Sequence, residues 1–208
     1  LWRISSTRRW RRYSHFTMKR VLTAAASLPV LLGVTYWGSD WVFGLLVASV
    51  GALALDEFIG LGTLGGISRP GYWFLLIGAG LTLSFIGSPV STVGMFLLAG
   101  LLLTATALGS HSPEALLRRL GKGLTGLFYT CFLLGFLILL SRPAVFVILG
   151  IIWVGDSAAF YFGQAWGRHR LAPRISPGKT VEGLLGGIAI ATLVGAGLPF
   201  LFPEFIPE

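Results

Sequence analysis

The strongest constraint on this chain is a succession of uninterrupted apolar runs, each close to the length that crosses a bilayer. A helix needs about 20 apolar residues to traverse roughly 30 Å of hydrocarbon. Trp41 to Ile59, Val90 to Leu108, Ala144 to Phe162 and Leu184 to Phe202 all approach that length. The runs are continuous rather than alternating, which argues against a membrane β-barrel. With 54% hydrophobic and 12% charged residues, too little polar sequence remains to cover a soluble globule. The expected fold is therefore all-α, a polytopic transmembrane helical bundle of about seven spans.

The first run, about Val21 to Trp37, has the basic flank of a signal peptide. Further apolar runs follow it, so it reads as a retained helix kinked at Pro29. The remaining spans are Trp41 to Ile59, Tyr72 to Ile86, Val90 to Leu108, Leu124 to Leu140, Ala144 to Phe162 and Leu184 to Phe202. Asp56 and Glu57 lie near a span end, where a charge is cheap, and read as interface residues. Ser112-Pro113-Glu114 supplies an N-cap, an N1 proline and an acidic first turn in order. Leu116, Leu117 and Leu120 would then share a face opposite Arg118 and Arg119, which predicts a short helix in the headgroup plane. Glycines four apart, Gly62/Gly66, Gly163/Gly167 and Gly183/Gly187, predict close helix contacts. Cys131 is the one cysteine, so no intrachain disulfide forms.

A net charge of +8 invites a nucleic-acid reading, but the cations sit in short loops between spans, where orientation in a membrane requires them. Residues 1–20 carry Arg3, Arg8, Arg9, Arg11, Arg12, Lys19 and Arg20. This arm reads as a solvated cytoplasmic leader in preference to a lipid- or RNA-binding segment. Met18, just before Lys19-Arg20, is a candidate start, which would make residues 1–17 dispensable. Alternate loops hold 15 of the 16 basic residues, and Arg142 alone falls on the other side. That places the N-terminus and the polar segment 164–182 in the cytoplasm, in a multi-pass protein of the cell inner membrane.

The segment from Gly155 to Gly187 carries the chemistry. Asp156 lies inside a span, where an aspartate costs about 2.5–3.5 kcal/mol and normally faces a cavity, a partner or a metal. At helical spacing its face includes Ile152, Trp153, Ala159, Phe160 and Gly163, whose small members leave room for a ligand or a neighbouring helix. Arg168, Arg170, Arg174 and Lys179 read either as topology and headgroup cations or as a phosphate clamp. Lys179-Thr180 opens the last span, where free N–H groups and the helix dipole favour anions. Glu182 falls in the first turn of that helix, where it complements the dipole or orients Lys179 or a metal. Gly178-Lys179-Thr180 resembles the end of a P-loop, but Pro173 occupies the first glycine position and no strand is expected before it. His111 and His169 have no companions at zinc-like spacing.

These residues resemble the phosphatidate cytidylyltransferase (CDP-diacylglycerol synthase) family. The likeness rests on Gly155-Asp156-Ser157-Ala158-Ala159-Phe160, Leu171-Ala172-Pro173, Ser176-Pro177-Gly178-Lys179-Thr180 with Glu182-Gly183, and Gly186-Gly187. Lys19 to Ala24 and Glu57-Phe58 are similar to that family's opening spans. The resemblance implies transfer of a cytidylyl group from CTP to phosphatidic acid, with Mg²⁺, giving CDP-diacylglycerol and pyrophosphate. It implies Asp156, Lys179 and Glu182 as catalytic residues and Asp156 as a metal ligand. Arg170, Arg174, Ser176 and Thr180 would bind substrate, with Ser176, Thr180 and Glu182 shaping the loop. CTP, phosphatidic acid and the bilayer are the expected partners, with a second copy of the chain in a homodimer; nucleic acid is not. Val181 and Gln164 depart from that family's usual tryptophan and basic residue. Its further C-terminal spans and basic-acidic signature are not in this sequence, so the expectation is a truncated chain, inactive alone. A membrane transporter or channel subunit using Asp156 as an ion site, and a CTP-dependent polyprenol kinase-like enzyme, are the competing readings.

Overall fold

The computed structural model describes residues 28–61, 72–110 and 112–201. The basic arm, Arg69, His111, the glycine pair Gly62/Gly66 and the residues before Leu28 lie outside that description. The described chain is helical apart from one small hairpin. Its elements are α1 (Leu28–Trp37), α2 (Asp40–Gly60), α3 (Tyr72–Leu83, ending in a tighter turn Ser84–Ile86), α4 (Pro89–Ala107), α5 (Pro113–Leu139) and α6 (Arg142–Trp166). Strands β1 (Arg170–Ala172) and β2 (Ser176–Thr180) follow, then α7 (Val181–Leu201). Among the described residues five helices, α2 and α4–α7, are long and apolar enough to cross a membrane, while α1 and α3 are shorter apolar helices. The chain divides into two compact units, residues to Leu139 and residues from Leu140.

In the first unit α2, α4 and α5 each begin at a serine cap. The Ser39 hydroxyl accepts the Val42 N–H at the start of α2, Ser88 accepts that of Ser91 before Pro89, and Ser112 accepts that of Ala115 before Pro113. The predicted headgroup-plane helix does not end before the next span. It runs on as α5, with the ladder loosened to a π-turn over Leu127–Phe132. The register of that turn is held from outside, because the Thr82 hydroxyl donates to the Cys131 carbonyl at 3.2 Å. Consecutive helices pack antiparallel around Leu55, Phe74, Leu81, Ala99, Leu103, Leu127 and Cys131, all buried. Gly78 sits in this core; a Cβ there would lie 2.7 Å from Leu55 and 2.9 Å from the Cys131 sulfur. Arg118, Arg119 and Lys122 lie at the end of this unit where α2 finishes. The Lys122 ammonium donates to the Ile59 carbonyl, covering one of the C-terminal carbonyls that a helix leaves unpaired.

The second unit is a helical pair. Helices α6 and α7 run antiparallel and meet along small residues, as the glycine spacing predicted. A Cβ on Gly183 would lie 2.7 Å from the Ala159 carbonyl and 3.1 Å from Gly163. One on Gly187 would lie 2.8 Å from Ala159 and 3.0 Å from the Gly155 carbonyl, and one on Gly155 would lie 3.2 Å from Ala191. At Gly183 and Gly187 only hydrogen fits, a Cβ at Gly155 would press on Ala191, and the two helices stay in close contact along more than two turns.

Candidate nucleotide site on the hairpin between the last two helices

Helix α6 extends beyond the expected Phe162 to Trp166, so the polar segment begins with a further helical turn. Gly167 ends it in an extended conformation, and the chain turns into the β1–β2 hairpin. Arg170 pairs with Thr180 and Ala172 with Ser176, with a register slip between the two pairs. Pro177 falls in that slip, where its missing N–H costs the ladder nothing. The turn closes through the Ile175 N–H to the Ala172 carbonyl at 3.1 Å. A strand thus does precede Gly178-Lys179-Thr180, contrary to the expectation. Pro173 still stands at the first glycine position of a P-loop, so that motif remains unmatched.

The sequence-predicted residues separate into three groups. Thr180 and Glu182 join the hairpin to α7. The Thr180 hydroxyl accepts the Gly183 N–H at 3.2 Å, making Thr180 the N-cap of α7. Its side chain also lies against Gly163 and Gly167 at the end of α6. Glu182 reaches back across the joint. Its carboxylate accepts the Arg168 N–H at 3.1 Å and the His169 N–H at 3.2 Å, and meets His169 Nδ1 at 2.6 Å. A carboxylate that must accept fixes the hydrogen on Nδ1. In the sequence His169 reads only as a histidine without zinc-like companions; its partner lies 13 residues away, and no local pattern announces the pair.

The second group is the cations. The Arg170 guanidinium donates to the Pro177 carbonyl across the hairpin, which uses one of its five N–H groups and leaves the rest available. Arg168, Arg174 and Lys179 are exposed, and among the described residues their side chains make no hydrogen bond or ion pair. Ser176 is half-buried in β2, opposite Ala172.

Asp156 stands apart. Ten residues separate it from the end of α6 at Trp166, about 15 Å along a helix, further than the sequence implied. Ala159 and Gly163, the small members of its expected face, are occupied by α7, so the room they leave is filled by a neighbouring helix. Among the described residues no hydrogen bond or ion pair joins Asp156 to Lys179, Arg170 or Arg174. No group of three or more His, Cys, Asp or Glu there could hold a metal. Mg²⁺ is commonly held by one or two carboxylates plus substrate phosphates. Asp156 alone therefore does not build a protein cage for the ion, and could hold it only together with substrate phosphates.

Comparison with known proteins identifies the family. Residues 18–206 match the Cytidylyltransferase family. The chain is 31% identical over 183 residues to a phosphatidate cytidylyltransferase of Pseudomonas aeruginosa, covering 82% of this chain and 66% of that protein. It is 30% identical over 205 residues to that of Bacillus subtilis, covering 85% and 69%. It is 32% identical over 187 residues to that of Brucella suis, covering 85% and 65%. The chain spans about two thirds of the length of these curated relatives. A match that takes in all of the described helices and the whole hairpin makes this chain a member of the cytidylyltransferase family.

Proposed function

We propose that this chain acts in cytidylyl transfer from CTP to phosphatidic acid, giving CDP-diacylglycerol and pyrophosphate at the cytoplasmic face of the inner membrane. The observation that carries the reading is Lys179, exposed and without a hydrogen bond or ion pair among the described residues, just before the Thr180 cap of α7, with Arg170 and Arg174 on the same short hairpin and Arg168 shortly before it. Lys179 would hold the triphosphate as a mobile point charge, and Arg170 and Arg174 would add paired donors. A phosphate oxygen of the lipid attacks the α-phosphorus of CTP; the bond to the β-phosphate oxygen breaks and pyrophosphate leaves. Cations fixed before the reaction stabilise charge that grows on the leaving group without having to reorganise. Mg²⁺ would neutralise phosphate charge when bound, with Asp156 as its ligand from this chain. The cation asymmetry between alternate loops supports a cytoplasmic hairpin, the side on which CTP is found.

The test is binding of labelled CTP to the chain in lipid nanodiscs. The reading expects saturable binding that weakens at least tenfold in Lys179→Ala, about 1.4 kcal/mol or more. Equal binding by the substituted and unsubstituted chains would remove Lys179 from the site.

A further inference from the structure

We propose that Glu182, together with His169, is a positioning residue for the triphosphate site: it latches the Arg168–Arg170 arm to the start of α7 and acts on the nucleotide through that arm and Lys179. This rests on the nucleotide reading above and departs from the catalytic role that resemblance assigns to Glu182.

The argument is one of capacity. A carboxylate offers about four acceptor sites on its two oxygens. In Glu182 three donors converge on them: one oxygen takes the His169 Nδ1–H, the other takes the Arg168 N–H, and the His169 N–H is shared between the two. Most of the acceptor capacity of Glu182 is therefore committed to the chain itself, and both oxygens are engaged. The donors come from the two residues that follow the last turn of α6, so one side chain bridges the end of α6 and the first turn of α7. The Val181 N–H adds a second tie to the His169 carbonyl at 2.9 Å. Arg168, His169 and Arg170 are consecutive, and Lys179 is three residues before Glu182. Fixing the backbone of the first group to the side chain of Glu182 therefore fixes the spacing between arginines and lysine, on which a multidentate phosphate contact depends. The imidazole is 79% exposed and the carboxylate 26%, so the latch sits at the surface, where each bond is worth little alone and the set acts together.

Isosteric replacement separates positioning from contact. Asparagine places an N–H donor where His169 has Nδ1; glutamine places its polar group where His169 has Nε2. We expect labelled CTP to bind His169→Asn within about twofold of the unsubstituted chain, and His169→Gln and His169→Ala several-fold more weakly. Glu182→Ala should weaken CTP binding about tenfold, as loss of hydrogen bonds to a charged group does. It should add little to Lys179→Ala in the double variant, since both act on one contact. The Mg²⁺ concentration needed for half-maximal CTP binding should not move in Glu182→Gln. Amide exchange at Arg168 and His169 should speed up in Glu182→Ala and not in Lys179→Ala. His169→Asn as weak as His169→Ala, or a raised Mg²⁺ requirement in Glu182→Gln, would overturn the proposal by making either side chain a direct ligand. Unchanged CTP binding in Glu182→Ala would overturn it while leaving the nucleotide reading intact. No CTP binding by the unsubstituted chain would overturn both.

Discussion

The two units of this protein solve the same packing problem by opposite means. In the first, large side chains fill the space between helices: Leu55, Phe74, Leu81 and Leu127 are fully buried, and Phe85 meets both Phe132 and Phe136 edge-on. In the second, Val145 is the one buried hydrophobic among the described residues, and α6 and α7 touch backbone to backbone through Gly155, Ala159, Gly163, Gly183 and Gly187. Lipid is as apolar as leucine, so burial alone drives neither association, and van der Waals contact must. A side-chain core gains that contact over many atoms and can relax when one is lost. A glycine seam gains it from proximity itself and has nothing to move aside. The site is built on the second kind. Its hairpin is held at both ends by the helices of the seam, so spacing between α6 and α7 becomes spacing between Arg168 and Lys179.

The difference is broken most severely at the seam. Gly183→Leu should separate α6 from α7, because its Cβ alone would lie 2.7 Å from a backbone oxygen. We expect loss of the folded second unit and of all CTP binding, read by protease resistance and nucleotide binding. Gly197→Ala, on the same helix with nothing within 4 Å of its Cβ, should leave both unchanged, and a loss there would mean that α7 tolerates no change at all. Phe74→Ala in the first unit should do less. Phenylalanine truncation costs about 3–5 kcal/mol in a water-soluble core; in lipid the transfer part falls away, and about 1–3 kcal/mol of packing remains. Thermal unfolding in nanodiscs would show it, and a larger loss than from Gly183→Leu would reverse the comparison.

Much of this was legible in the sequence. The cap at Ser112 and the spacing of Gly163, Gly183 and Gly187 are local signals, and the structure uses them as written. The continuity of α5 was not legible, because the polar face of Arg118 and Arg119 reads as the end of a membrane segment. In the fold those residues open the same helix that later spans. The hairpin was hidden for a different reason. Ser176 to Thr180 has no alternation and contains Pro177 and Gly178, so its strand conformation comes from pairing with Arg170–Ala172 rather than from propensity. Glu182 could be placed in a first turn, but its partners could not, since they lie across a chain reversal whose geometry only the fold sets.

The central claim is that a nucleotide is met on the cytoplasmic side by this hairpin, and Ile175 offers the most direct measurement. It stands at the turn, 90% exposed, and the one native cysteine, Cys131, is buried. Ile175→Cys should be labelled by a membrane-impermeant thiol reagent from the cytoplasmic face of oriented membrane vesicles, with CTP slowing the reaction. Labelling from the opposite face would put Lys179 where CTP does not reach and would contradict the account.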